Sequence, residues 1–326
     1  MKAVYASNDH YARHLGTSLY SLLDCNQAME EITVYLLSVN LSQKNLSCLH
    51  AIAKRFGRTL EVIELGEVKN KFDYSIDTGG FDISTMSRLF IGDVLPMETE
   101  RVLYLDCDVV VTQSLQKLWN TDLGHDIIGA VMEPTIYQSV KEAIDLKASD
   151  PYYNAGVLLV NLRRWREEGV QKQLLDFYQS KGGRLFACDQ DAINGALKGR
   201  IKPLSPRYNF FTNYRYFAYE ELVSLSLTYR VVPKALFMQA KRHPAIIHYM
   251  GDERPWIAGN LNHYRKAYEH YLAETPWCGT PKEPGHRIYM LAYHLLDYVT
   301  VISPDLRRII SRHFGMKAVN ARKKNS

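Results

Sequence analysis

Two aspartates one residue apart stand in the run Leu103-Tyr104-Leu105-Asp106-Cys107-Asp108-Val109-Val110-Val111, at the carboxyl end of what reads as a buried strand. Ligands of open α/β sheets bind just outside such strand ends. In an extended chain residues two apart point the same way, so Asp106 and Asp108 are expected to converge while Cys107 turns into the protein. Two convergent carboxylates repel each other unless a cation sits between them. Magnesium and manganese are hard ions that favour such oxygens and complete an octahedron with the phosphates of a nucleotide. On this motif alone two other readings stay open: a pair of solvated acids at a strand end, and a phosphatase-type site, which also opens with a strand followed by Asp-x-Asp.

A second run, Ile246-Ile247-His248-Tyr249-Met250-Gly251-Asp252-Glu253-Arg254-Pro255-Trp256, sends a short strand into a loop. That loop carries an imidazole, a glycine and a guanidinium in sequence. Imidazole suits manganese better than magnesium, glycine lets backbone approach a phosphate, and arginine takes a diphosphate bidentately. A histidine after two isoleucines also reads as a structural residue. Gly251 and Arg254 turn the reading toward chemistry.

These groups need a scaffold, and the rest of the chain alternates strand and helix. Strands are expected at residues 4–7, 32–39, 60–63, 102–105, 127–131 and 157–162. A helix over 11–23 sets Leu15, Leu19, Leu22 and Leu23 on one face; a second, capped by Ser42 and ended by Gly57, buries Leu46, Leu49, Ile52 and Phe56. A further helix is expected around 85–94. Such alternation predicts a mostly parallel sheet covered by helices. Residues 203–244 are aromatic without a clean period, and no element is assigned there. Helices are predicted over 259–272 and over 286–300, the latter with Ile288, Leu291, Ala292, Leu295, Leu296 and Val299 on one stripe. Ser303 and Pro304 open a last short helix, with Leu306, Ile309, Ile310 and Phe314 on one side and Arg307, Arg308 and Arg312 elsewhere. The expected partition is a catalytic domain over 1–258 and a helical appendage with a basic tail over 259–326.

With 326 residues, 46% of them hydrophobic and 23% charged, the composition is that of an ordinary globular protein. The first residues lack the apolar run of a signal peptide. Five cysteines without metal spacing fit a reducing cytosol. The longest apolar stretch, 288–302, falls short of the roughly 20 residues a membrane span needs. A cytoplasmic protein is expected. The charge of +5 is concentrated after Asp305 in Arg307, Arg308, Arg312, Lys317, Arg322, Lys323 and Lys324. Such a terminus suits the anionic inner face of a membrane, where the protein would sit peripherally, or forms a solvated tail. No nucleic-acid partner is expected.

Four segments in order and spacing resemble glycosyltransferase family eight: Asp106 with Asp108; Tyr153-Asn154-Ala155-Gly156-Val157-Leu158-Leu159-Val160-Asn161-Leu162; Asp189-Gln190-Asp191; and the His248, Gly251, Pro255, Trp256 loop. The resemblance covers roughly residues 1–256. That family contains bacterial lipopolysaccharide galactosyl- and glucosyltransferases, the general stress protein A group and glycogenin. It implies a GT-A fold, a Rossmann-like mostly parallel sheet flanked by helices, and transfer of a hexose, glucose or galactose, from a UDP-sugar with retention of configuration. By carry-over, Asp106, Asp108 and His248 would ligate manganese, with magnesium as the alternative ion. Arg88 would help bind donor phosphate or sugar, and Asn154 and Asp189 would hold sugar hydroxyls. Gln190 would lie at the reacting face, while Gly251 and Arg254 would meet the departing diphosphate. Ala6, Asn8 and His10 would line the base and ribose pocket, with Ser7, Tyr11, Cys107, Glu133 and Ala155 completing the nucleotide-sugar site. Asn8 stands where the family commonly has aspartate, His10 where it often has asparagine, Arg254 where lysine is common and Glu133 where aspartate often meets the sugar. These departures bear on the base and the hexose accepted. The acceptor would be a glycan, a lipid-linked sugar or a protein. Two competing functions differ in class: a phosphohydrolase using Asp106 as nucleophile and Asp108 as acid/base, and a noncatalytic nucleotide-sugar sensor.

Overall fold

In the computed structural model residues 1–302 and Leu306 are described. The expected last helix and basic tail therefore lie outside the described residues, apart from Leu306. Among the described residues ten strands form, β1 Lys2–Asn8, β2 Thr33–Val39, β3 Thr59–Glu64, β4 Arg101–Leu105, β5 Val109–Val111, β6 Ile128–Met132, β7 Tyr153–Asn161, β8 Ile201–Pro203, β9 Phe210–Phe211 and β10 Ile246–His248. Seven make one sheet in the order β3-β2-β1-β4-β7-β6-β8, and β5-β10-β9 make a second. β1, β2, β3 and β4 run parallel, whereas β7 is antiparallel to both β4 and β6. Both faces of the large sheet are covered. Along β4, Val102 and Tyr104 enter one apolar core while Leu103 and Leu105 enter the other, as the two-residue pleat requires.

From β1 the chain builds outward on one side through β2 and β3; from β4 it builds on the other. The carboxyl ends of these two parallel neighbours thus open on the crevice where α/β sheets bind ligands. The Asp-x-Asp sequence lies there, with one correction to its geometry. Residues 106–108 form a turn rather than extended chain, because the polypeptide leaves the large sheet at Leu105 and enters the small one at Val109. Convergence of Asp106 and Asp108 comes from this turn and not from pleating. Cys107 does face inward, its thiol donating to the Ala6 carbonyl at 3.2 Å.

Helices Ala12–Cys25 and Gln43–Arg55 form as expected, the second with Ser42 accepting from the Asn45 N–H at 3.3 Å. Three expectations differ. The segment predicted over 85–94 is a 3-10 helix, Ile83–Phe90, run into one α-turn, Ile91–Val94, capped by Asp82 on the Ser84 N–H. The helix predicted from 259 begins only at Arg265, since Asn260 and Asn262 bond instead to the loop after β10. Helix Arg287–Ile302 is inverted relative to the predicted stripe: Met290, His294, Asp297 and Thr300 face inward, while Ile288 is 85% and Leu295 66% exposed. The unassigned stretch begins at the last residue of β8 and contains β9 and the helices Tyr219–Leu225 and Lys234–Arg242. Helix Arg265–Ala273 lies on helix Ala12–Cys25 through buried Tyr268 and Tyr271. Among the described residues no helix is long and apolar enough to cross a membrane.

Candidate active site

A cleft of about 310 Å³ opens over the ends of β1 and β4, within the size range of small-molecule sites. Its walls include Ala6, Tyr11, Arg88, Asp106, Cys107, Asp108, Glu133, Asn154, Ala155, Asp189, Gln190, His248, Gly251 and Arg254. Ser7, Asn8 and His10 are not among them. Ser7 is buried, His10 is exposed, and the Asn8 amide is held by Asp82 at 2.6 Å and by the Tyr11 N–H at 3.2 Å. Asp82 itself lines the cleft, beside Phe81, Ser84 and Thr85, which the sequence reading missed. An Asp-x-Ser-Thr capping pattern at 82–85 was the available signal.

His248 reaches Asp108 by strand pairing. β10 is antiparallel to β5 with His248 opposite Val109, and the Tyr249 N–H donates to the Asp108 carbonyl at 3.0 Å. One donor atom from each of Asp106, Asp108 and His248 lies within 4.8 Å of the others. The Asn209 Oδ1 stands 2.8 Å from His248 Nδ1, so that nitrogen carries a ring proton, and Nε2 lies 3.1 Å from Asp108 Oδ1, to which it donates when the ring is protonated. Two carboxylates and an imidazole nitrogen so placed would fit a divalent cation, which would take the place of the Nε2 proton, with manganese suited to the mixed oxygen and nitrogen set. Burial pushes the His248 pKa down, but the Asp108 charge outweighs this and holds it above its ordinary value. Burial raises Asp108, yet His248 and Arg254 bring it below the usual carboxylate range. Asp106 stays above that range, because burial and Asp108 together outweigh Arg88.

Arg88 sits 4% exposed and is fully engaged: its NH2 meets Asp106 at 2.8 Å, its Nε meets Asp189 at 2.8 Å, its NH1 donates to the Ala155 carbonyl, and its plane lies 4.5 Å from the Tyr104 ring centre. It ties two acidic groups together at the wall of the cleft. Burial lifts Asp189 to about 6 against the pull of Arg88. Arg254 differs. Its Nε is buried and makes no hydrogen bond among the described residues, which leaves a cation beside Asp108 for an anionic ligand.

Asn154 and Gln190 make a satisfied amide platform. Asn154 Oδ1 accepts from the Gly156 N–H and from Asn209, both at 2.8 Å, and its Nδ2 donates to Glu133 at 3.1 Å and to Gln190 Oε1 at 2.9 Å. Gln190 Oε1 accepts also from the Ala155 N–H at 3.0 Å, and its Nε2 donates to Glu133 at 3.1 Å and to the Tyr152 hydroxyl at 3.0 Å. Each amide has used its two lone pairs and two protons. Both Glu133 contacts fall on Oε2, leaving Oε1 for a ligand. Burial raises the Glu133 pKa.

A second buried group, Glu253, His294 and Asp297, has donor atoms equally close. The Leu261 N–H donates to His294 Nε2 at 2.9 Å, so the ring proton is on Nδ1, which faces Asp297 at 3.7 Å. A protonated nitrogen cannot ligate, and this group is not read as a metal site.

The α/β fold, with an acidic turn, an imidazole and an arginine around one crevice, is that of the GT-A glycosyltransferases. The family description "Glycosyl transferase family 8" matches residues 2–259, and the chain belongs to that family of glycosyltransferases. Among curated proteins it is similar to general stress protein A of Bacillus subtilis (strain 168), 26% identical over 85% of this chain and 94% of the relative. It is also similar to the lipopolysaccharide 1,3-galactosyltransferase of Salmonella typhimurium (strain LT2), 22% identical over 84% of this chain and 78% of that protein. Galactosyltransferase LgtC, solved in complex with donor and acceptor sugar analogs, superposes with a TM-score of 0.71 and 28% identity over 85% of this chain and 96% of its own.

Proposed function

We propose that this protein is a metal-dependent hexosyltransferase that moves glucose or galactose from a UDP-sugar, with retention, to a glycan, lipid-linked or protein acceptor. The observation that carries the reading is the convergence of Asp106, Asp108 and Nε2 of His248 beside the uncommitted Nε of Arg254. Breaking the anomeric C–O bond places negative charge on the departing diphosphate. A bound divalent cation supplies Lewis-acid stabilisation of that charge, worth several kcal/mol. Arg254 adds a fixed cation at the same place. Glu133, through Oε1, and Asp189 face the cleft to hold sugar hydroxyls, while Asn154 and Gln190 fix the floor beneath them. In this arrangement the leaving phosphate takes the acceptor proton, and Gln190 acts by holding Asn154 and Glu133 in place, since its own carbonyl is already engaged.

The protein is proposed to work in the cytoplasm at the inner face of a membrane. Support comes from the outward apolar side of helix Arg287–Ile302 together with the seven basic residues that follow Asp305 in the sequence. A thermal-shift panel of nucleotide sugars with and without manganese tests the donor. UDP-hexoses are expected to raise the melting temperature only with the metal, by mass action; an equal rise without metal, or a rise with other bases alone, contradicts the reading.

A further inference from the structure

Asn209 precedes β9, is 1% exposed and lies in the aromatic stretch where the sequence showed no pattern. Its orientation is dictated by a backbone group of β7 in the other sheet. The Gly156 N–H can only donate, so the Asn154 atom 2.8 Å from it is the carbonyl oxygen. The Asn209 atom 2.8 Å from that oxygen must then be its amide nitrogen. The remaining Asn209 atom is an oxygen, and it obliges His248 Nδ1 to donate at 2.8 Å, which leaves Nε2 as the ring nitrogen that faces Asp108. Gly156 also leaves no room for the ring to move toward it: a Cβ there would lie 2.4 Å from His248 Cε1 and 3.0 Å from Asn154 Oδ1.

We infer that Asn209 is a positioning residue that couples the metal-binding imidazole to the sugar-facing amide platform. One end of its amide fixes the His248 tautomer; the other fixes which edge of Asn154 faces Glu133 and Gln190. The metal and sugar sides of the site therefore share one buried side chain. This inference rests on the reading of His248 as a metal ligand.

The two ends can be separated by substitution in the full-length protein. Asn209→Ala removes both bonds. Asn209→Asp keeps an oxygen for His248 Nδ1 but presents a second oxygen to Asn154 Oδ1. Manganese uptake is followed with UDP present, through loss of the free-ion electron paramagnetic resonance signal, and turnover through sugar release from a UDP-hexose. For Asn209→Ala manganese affinity is expected to fall about 10–100-fold, the usual range for partners behind a metal ligand. For Asn209→Asp affinity should stay within about threefold of wild type while kcat falls at least tenfold and the donor KM changes little, on the scale of a lost oriented contact. Should Asn209→Ala not fold, the near-isosteric Asn209→Asp decides alone. Wild-type kcat in Asn209→Asp, or parallel loss of metal affinity and kcat in it, overturns the coupling, as does wild-type manganese affinity in a folded Asn209→Ala. A wild-type protein that takes up no manganese with UDP overturns the underlying reading of His248, and the coupling with it.

Discussion

Asn154 and Gln190 carry eight hydrogen-bonding positions between them, and protein groups fill all eight. Their work is to hold Glu133 and each other, which makes Gln190→Ala a test of preorganisation. Turnover is expected to fall roughly 10- to 1,000-fold, about 1.4 to 4 kcal/mol, without a trapped covalent adduct; steady-state sugar transfer and mass spectrometry of the protein measure both. Asp106→Asn or Asp108→Asn should abolish transfer and donor hydrolysis with an unchanged fold by circular dichroism, since each removes metal charge at constant volume. Near-normal turnover in saturating manganese would remove the metal assignment. Asp106, Asp108, His248 and Arg254 were legible because charge and spacing in the sequence stand next to apolar strands. Asn209 was not: one amide among aromatics has no period, and its importance appears only once β9 lies beside β10.

Strand β7 delivers Asn154, Ala155 and Gly156 to the site, and its close approach to β10 requires glycine at 156. Gly156→Ala should push the His248 ring aside. Overpacking of this kind costs about 1–3 kcal/mol, so a modest loss of melting temperature is expected with a much larger loss of manganese-dependent turnover. A second element contact is electrostatic. Glu283, in the segment after helix Arg265–Ala273, accepts from Arg13 and from His14 at 3.3 Å on helix Ala12–Cys25. The His14 hydrogen bond comes first among the causes that hold the Glu283 pKa down at about 2, below its ordinary 4.5 and against the opposing effect of burial. A depressed carboxyl contributes stability above its unfolded pKa and loses it as pH falls through the folded one. The stability gap between wild type and Glu283→Gln should thus be full at neutral pH and close between about pH 4.5 and 2 in urea titrations. A gap independent of pH would show that the carboxylate is not what matters. Strand positions were legible to within a few residues because β-branched runs are bounded sharply. Helix starts were less so, since Asn260 and Asn262 redirect backbone that the apolar pattern alone would wind into helix.

At the scale of the molecule, helix Arg287–Ile302 reverses the usual rule by placing His294, Asp297 and Thr300 inside and Ile288, Leu291 and Leu295 outside. Periodicity identified the helix but not its inner face, because burial of polar groups depends on partners that only the fold provides. If the outer face and the basic tail meet anionic lipid, deletion of residues 304–326 should leave donor hydrolysis near normal and abolish salt-sensitive sedimentation with anionic vesicles. Vesicle binding absent even at low salt in the full-length protein would remove the membrane proposal. The mostly parallel sheet was foreseeable from alternating strand and helix. The small second sheet was not, because β9 is only two residues long and the pairing of the expected strand at Ile246 with β5 and β9 leaves no periodic mark, although it is this sheet that brings His248 to Asp108. Retaining, metal-dependent transfer is tested most directly by proton magnetic resonance of UDP-α-hexoses incubated with the protein and manganese. The donor anomeric signal is expected to decay, the first sugar product to be the α anomer, and a chelator to stop the reaction. A donor left intact with manganese present, or a β anomer as the first product, would contradict it.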